Sequence, residues 1–331
     1  MQELRLNLIT REWVIIAKER AKRPEDFKVR TERMALPPYS ETCPFCPGNE
    51  GRTPPETYSI RDEKGWRVRV MPNKFSALSR DGERRRENGG IKRTLSGVGI
   101  HEVIVETPSH DLTIALLPVS QVEDVVRVYR DRFIEAYKDP RVEHVIIFRN
   151  QGERAGTSLE HPHSQLVGIP VTPIQVRMRV DEAMRFFDDT GDCLMCKTLR
   201  EELDDKSRII METNHFVAFI PYAALSPFHI WIFPKRHTPS FAAITGEEMA
   251  DLAKIMKTTL GKIYYGLDNP DFNYTIRSMR PVTGNVEFFH WYLTIIPRVS
   301  QTSGFEMGSG MYINMALPEA SAEFLRSING Q

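Results

Sequence analysis

The chain has 331 residues, with 44 Lys and Arg balanced by 44 Asp and Glu, so its formal net charge is zero. That balance excludes a general nucleic-acid binder, which needs a net basic face to displace counterions, and no apolar run reaches the length of a membrane span. Four cysteines are too few for a disulfide scaffold in a chain long enough for two domain-sized units, and they imply a cytoplasmic metal protein.

In chain order, the stretch from Met1 to Thr10 alternates polar and apolar residues and predicts a strand, not a signal peptide. Arg20-Ala21-Lys22-Arg23-Pro24 is a basic stretch that reads either as a solvated face or as a phosphate contact. Cys43 and Cys46 form a Cys-x-x-Cys pair. A strand follows from Arg67 to Pro72, then Asn73, which alone would be an ordinary turn residue. Residues 80–99 are polar and Gly-rich and predict a mobile loop. A second strand runs from Val103 to Pro108, with His110 just beyond it. Ser120-x-x-Glu123 predicts a capping box for a helix whose apolar stripe is Val122, Val125, Val126, Tyr129 and Phe133. Strands at His144 to Arg149 and His161 to Pro170 complete the first half, and residues 173–187 predict a linking helix.

The second half repeats this order. Cys193 and Cys196 open it, and strands at Phe216 to Pro221 and Ile230 to Pro234 lead to His237. Thr245-x-x-Glu248 opens a second helix, followed by strands at Phe272 to Ile276 and His290 to Pro297. His110 to His161 is 51 positions and His237 to His290 is 53. Such a repeat predicts a duplicated α+β unit, each copy a mostly antiparallel sheet with a long helix on one face. The copies divide at residues 1–170 and 171–331.

Zinc takes four Cys or His ligands in a tetrahedron. Cys43, Cys46, His110 and His161 supply one set, and Cys193, Cys196, His237 and His290 supply another in the same order, so two Zn2+ per chain are expected. A redox pair or two packed thiols is the other reading of each Cys-x-x-Cys. His101, His144, His215 and His229 fit no such pattern and read as ordinary surface or core residues.

The first set ends in Glu160-His161-Pro162-His163-Ser164-Gln165. On a strand, His161, His163 and Gln165 would share a face. His163 then reads as a second metal ligand, as a satisfied core residue, or as a nucleophile. The small-residue loop Gly156-Thr157-Ser158 and the Asn150-Gln151-Gly152 turn upstream supply N–H groups and hydroxyls for phosphate oxygens, which points to attack at phosphorus by a neutral imidazole.

With these residues in view, the chain resembles the galactose-1-phosphate uridylyltransferases, the two-repeat branch of the histidine-triad (HIT) superfamily, over nearly its whole length. The resemblance implies that His163 forms a nucleotidyl-histidine intermediate, that Gln165 steadies the α-phosphoryl oxygens and that Ser158 holds the leaving phosphate. It implies that Arg20, Arg23, Asn73, Phe75, Asn150 and Gly156 contact the sugar nucleotide. It also implies a homodimer that moves UMP from UDP-glucose to galactose 1-phosphate, with a catalytically silent second repeat, where Tyr292 replaces the nucleophile, serving sugar recognition. Glu306 matches the hexose-binding segment, but Tyr312 stands where a glutamine is usual. Gly308-Ser309-Gly310 and the second cysteine pair look closer to ADP-glucose phosphorylase-like relatives, which would pass AMP to phosphate. A non-catalytic zinc-stabilised nucleotide-binding protein and a hydrolase are the remaining alternatives.

Overall fold

The computed structural model describes residues 2–18, 22–28, 35–281 and 286–330. A hairpin of β1 (Glu3–Leu6) and β2 (Trp13–Ile16) opens the chain. The first repeat follows as β3 (Tyr58–Asp62), β4 (Gly65–Pro72), the hairpin β5 (Arg86–Gly89) and β6 (Lys92–Leu95), β7 (Ile100–Val105), helix α1 (Val119–Ala136), β8 (His144–Gln151) and β9 (His163–Ile169). Helices α2 (Ile174–Thr190) and α3 (Leu194–Asp205) link it to the second repeat. That repeat contains β10 (Ile209–Glu212), β11 (Phe216–Phe219), β12 (Ile230–Pro234), α4 (Gly246–Gly266), β13 (Phe272–Arg277) and β14 (Tyr292–Pro297). The chain ends in α5 (Gly304–Ser309), β15 (Tyr312–Asn314) and α6 (Pro318–Ser327), with β15 adding in parallel to β2.

The two repeats do not form separate sheets. Their strands build one antiparallel sheet of ten in the order β10-β11-β12-β14-β13-β8-β9-β7-β4-β3. Read outward from the centre, β8-β9-β7-β4-β3 mirrors β13-β14-β12-β11-β10, so the repeats meet edge to edge where Asn150 pairs with Asn273 and Phe148 with Thr275. This pairing satisfies the open edge that each five-stranded half would otherwise expose.

Helices α1 and α4 lie side by side on one face and cover a core that includes Val68, Val70, Ile104, Leu166, Ile276 and Leu293. The stripe Val122, Val125, Val126, Tyr129 and Phe133 is buried as its spacing predicts. Each such side chain contributes about 1.5–3 kcal/mol, an upper bound for a compact unfolded state. Polar groups lie inside this layer: Arg149 and Glu106 form a buried ion pair, and the Tyr129 hydroxyl lies 2.7 Å from Ser164 Oγ and, across the seam, 2.5 Å from the Tyr274 hydroxyl. The opposite face is covered in the second repeat by aromatic residues with α2 and α3, whereas over β8 and β9 it carries the half-buried residues Phe148, Asn150 and Gln165.

Three local expectations are corrected. The Ser120–Glu123 capping box is absent, because the helix starts two residues earlier than that box requires, at Val119, behind the extended backbone of Pro118. The Thr245–Glu248 box is present. Residues 80–99 are not a bare loop; they contain the β5–β6 hairpin, tied down by Arg141 to the carbonyls of Arg80 and Gly82 and by an Arg84–Glu143 ion pair. Finally, the His-bearing strands start two residues late, at His163 and Tyr292, leaving His161 and His290 outside them. Pro162 cannot donate a ladder hydrogen bond, and the cysteine clusters draw both outer histidines aside.

Candidate active site

The first cysteine–histidine set converges as its spacing predicts. Cys43, Cys46, His110 and His161 are all buried, and their ligand atoms lie within 4.8 Å of one another. The Sγ to Nδ1 separations are 3.6 Å for Cys43–His161, 3.5 Å for Cys46–His110 and 3.6 Å for Cys46–His161, and the two Nδ1 atoms are 3.3 Å apart. Zinc bonds of about 2.3 Å to sulfur and about 2.0–2.1 Å to nitrogen give tetrahedral edges of about 3.5 Å for S···N and about 3.3 Å for N···N. The site therefore fits a tetrahedral ion without rearrangement. His161 Nε2–H donates to the Thr107 carbonyl at 2.8 Å, which leaves Nδ1 as the ligand atom. Burial holds the His161 pKa down to about 4, in the neutral form a metal requires.

In the second set Cys193, Cys196 and His237 meet within 4.8 Å. His290 Nδ1 is 3.2 Å from Cys196 Sγ, but His290 is not part of that mutual group. His237 Nε2–H donates to the Val286 carbonyl at 3.0 Å, so it too presents Nδ1 to the cysteines.

His163 opens β9, and its Nδ1 lies 2.8 Å from the His161 carbonyl oxygen. A carbonyl only accepts, so Nδ1 carries the proton and Nε2 keeps its lone pair. Burial lowers the His163 pKa and favours the neutral ring. Phe45, from within the cysteine knuckle, packs its ring edge-on at 5.4 Å from His163 and 6.0 Å from His161. Phe45 thus packs the cysteine knuckle against both imidazoles. Neither Phe45 nor this tautomer was foreseen from the sequence.

Gln165 lies two positions along the same strand, on the face of His163. Its Oε1 receives His101 Nε2 at 2.7 Å and Asn73 Nδ2 at 3.4 Å. The polarity is set by the Ala77 N–H, which donates to His101 Nδ1 at 3.1 Å and so leaves the proton on Nε2. With Oε1 occupied, the Gln165 NH2 group is the end available to a phosphoryl oxygen. His101, which reads as an ordinary residue in the sequence, is therefore part of the site; its pairing with Gln165 spans 64 positions and leaves no local signal.

Around this pair, Asn73 Oδ1 accepts the Phe75 N–H at 2.9 Å, and the Phe75 ring is 86 % exposed. Asn150 is the next position after Arg149, the last residue of β8 paired with β9, which places it beside His163. Gly152 and Gly156 adopt φ values of 84° and 89°, conformations that suit glycine, and shape the turn before the exposed Ser158. A Cβ on Gly156 would be 3.9 Å from Asn150 Nδ2. Arg23 is exposed at the start of a short 3-10 turn, Pro24–Phe27. Arg20 lies outside the described residues. Glu306 is occupied in a capping box with Ser303 at the start of α5. No helix among the described residues is long and apolar enough to cross a membrane.

Residues 1–173 match the family model for the galactose-1-phosphate uridyl transferase N-terminal domain, and residues 179–302 match that for its C-terminal domain. ADP-glucose phosphorylase of Arabidopsis thaliana is 36 % identical over 99 % of this chain and 93 % of its own. Galactose-1-phosphate uridylyltransferase of Thermotoga maritima is 28 % identical over 98 % of each. Among solved structures, the Arabidopsis ADP-glucose phosphorylase with bound ADP-glucose superposes with a TM-score of 0.84 at 33 % identity, covering 99 % of both chains.

Proposed function

The chain belongs to the galactose-1-phosphate uridyl transferase family, and on that premise we propose that it transfers a nucleotidyl group from a sugar nucleotide through His163. The carrying observation is the Nδ1–H bond to the His161 carbonyl, which leaves Nε2 free in a neutral ring. Nε2 attacks the α-phosphorus, the bond from that phosphorus to the bridging oxygen breaks, and the sugar 1-phosphate departs with the electron pair. In the second half-reaction an acceptor phosphate oxygen attacks the same phosphorus and Nε2 leaves. The NH2 groups of Gln165 and Asn150 meet charge on the phosphoryl oxygens, and Ser158 holds the departing phosphate. Phe75 offers its exposed ring to the base, and Arg23 and Asn73 border the nucleotide. Zinc at Cys43, Cys46, His110 and His161 supplies a structural tie between the knuckle and the strand that carries His163.

Two substrate pairs fit this chemistry. UDP-glucose with galactose 1-phosphate is the reading that the family models and the Thermotoga relative support. ADP-glucose with phosphate draws on the higher identity to the Arabidopsis phosphorylase, and we place it first on that ground. Intact-protein mass spectrometry decides between them: incubation with ADP-glucose or UDP-glucose, without acceptor, adds one AMP or one UMP to the chain. An adduct from ADP-glucose alone selects the phosphorylase reading, and one from UDP-glucose alone selects the uridylyltransferase. No adduct from either, in zinc-loaded protein, removes the mechanism and leaves a nucleotide-binding role.

A further inference from the structure

We infer that Asn273, in the second repeat, is a positioning residue that fixes which end of the Asn150 amide faces His163. The inference rests on the proposed chemistry at His163 and extends the site across the seam between the repeats. Asn273 pairs with Asn150 in the β13–β8 register, on the face of the sheet that carries His163 and Gln165.

Hydrogen-bond polarity orients both amides. Arg298, just after β14, points Nε at Asn273 Oδ1 across 2.5 Å. A guanidinium only donates, so the Asn273 oxygen must face it. The Asn273 NH2 group then points the other way, where Nδ2 meets Asn150 Oδ1 at 2.7 Å and the Ala155 carbonyl at 2.9 Å. Both of those atoms are acceptors, as the geometry requires. With Oδ1 committed to Asn273, Asn150 is left with its NH2 group, the end that attracts a phosphoryl oxygen. The reverse orientation would present a carbonyl dipole to an anion. Asn273 also holds the turn itself through Ala155, and its neighbour Asp271 accepts the Arg154 N–H at 2.7 Å. The half of the chain that lacks the nucleophile thus sets the donor geometry around it.

The test uses N273D, which is isosteric but presents only acceptors, beside N273A, each alone and combined with N150A. Formation of the nucleotidyl adduct is timed in single turnover, and melting temperature and metal content are recorded for every variant. N273D is expected to slow adduct formation at least tenfold with the metal content and melting temperature of the wild type, and to be slower than N273A. A purely structural role lowers the melting temperature in step with the rate, because both substitutions also lose the hydrogen bond to the Ala155 carbonyl. In the N150A background N273D should add no further loss, since both substitutions act through one amide. An equal loss in that background, which would mean direct repulsion of the substrate, overturns the inference, as does a wild-type rate in N273D. If the wild type itself forms no adduct, the proposed chemistry fails separately, and equilibrium binding of ADP and UDP carries the same comparison with the same expected order. Should N273D melt early, the N273A and N273A/N150A pair still decides coupling.

Discussion

His101 and Gln165, on the neighbouring strands β7 and β9, are joined by a 2.7 Å hydrogen bond whose direction is forced by the backbone N–H of Ala77 on the far side of the imidazole. Gln165 cannot turn its carbonyl toward the substrate while that bond stands. His101→Ala should slow nucleotidyl-adduct formation by up to about a hundredfold, the cost of misplacing a group by about 1 Å, while substrate affinity changes less. His101→Gln keeps a donor and should recover part of the rate. Rapid-quench kinetics on the three proteins checks this, and an unchanged rate in His101→Ala would remove His101 from the site.

Phe75 projects an apolar ring almost wholly into solvent, beside the turn that Asn73 secures. If it is a platform for the base, Phe75→Ala should weaken binding of the sugar nucleotide by about 1–3 kcal/mol, the usual worth of base–aromatic stacking. The melting temperature should not move, because the ring buries little in the free protein. Calorimetric titration with ADP-glucose and UDP-glucose measures both the loss and the base preference.

Cys46 Sγ contacts the Nδ1 atoms of both His110 and His161, and the cluster spans 118 positions of chain between Cys43 and His161. Cys46→Ala should therefore cost at least about 4 kcal/mol of stability, as loss of a structural metal does. Metal analysis should fall from two ions per chain to one. Chelation of the wild type should reproduce the fall in melting temperature. A Cys46→Ala protein that keeps both ions and its melting point contradicts the zinc assignment.

Buried His144 has its pKa lowered from 6.5 to about 4, chiefly by desolvation and further by Arg277. Above pH 6.5 both the folded and the unfolded chain carry it neutral, so it has no effect there. As the pH falls from 6.5 toward 4, the unfolded chain takes up a proton that the folded one refuses, and stability is lost through that window. His144→Gln removes this contribution and should keep roughly 2–3 kcal/mol more of its neutral-pH stability at pH 4 than the wild type keeps. Urea unfolding at pH 7 and pH 4 gives the comparison. An identical acid loss in both proteins would place the sensitivity elsewhere.

Much of this site is legible from local spacing. The two cysteine pairs, each with its later histidines, announce two cysteine–histidine clusters, and the apolar stripe of α1 announces the helix that covers the sheet. His163 stands out because its counterpart in the second repeat is Tyr292, whereas His161 has a counterpart in His290. These signals survive in one dimension because they follow the helical and strand periods, or recur at matched intervals in the two halves.

Other features depend on strand order. Nothing near His101 marks it as the partner of Gln165, nothing near Asn273 marks it as the partner of Asn150, 123 positions away, and nothing near Arg298 marks it as the partner of Asn273. The same holds for His290, whose Nδ1 reaches Cys196 Sγ at 3.2 Å while it stays outside the mutual group of Cys193, Cys196 and His237. The sequence by itself determined the duplicated α+β pattern, the two cysteine–histidine sets and the histidine, His163, that has no counterpart in the second repeat. Only the tertiary structure decided that the repeats merge into one sheet and which ends of Gln165 and Asn150 are engaged by neighbouring side chains. Amide orientation depends on the donors and acceptors that long-range strand pairing brings into contact, and a period along the chain carries no record of those contacts.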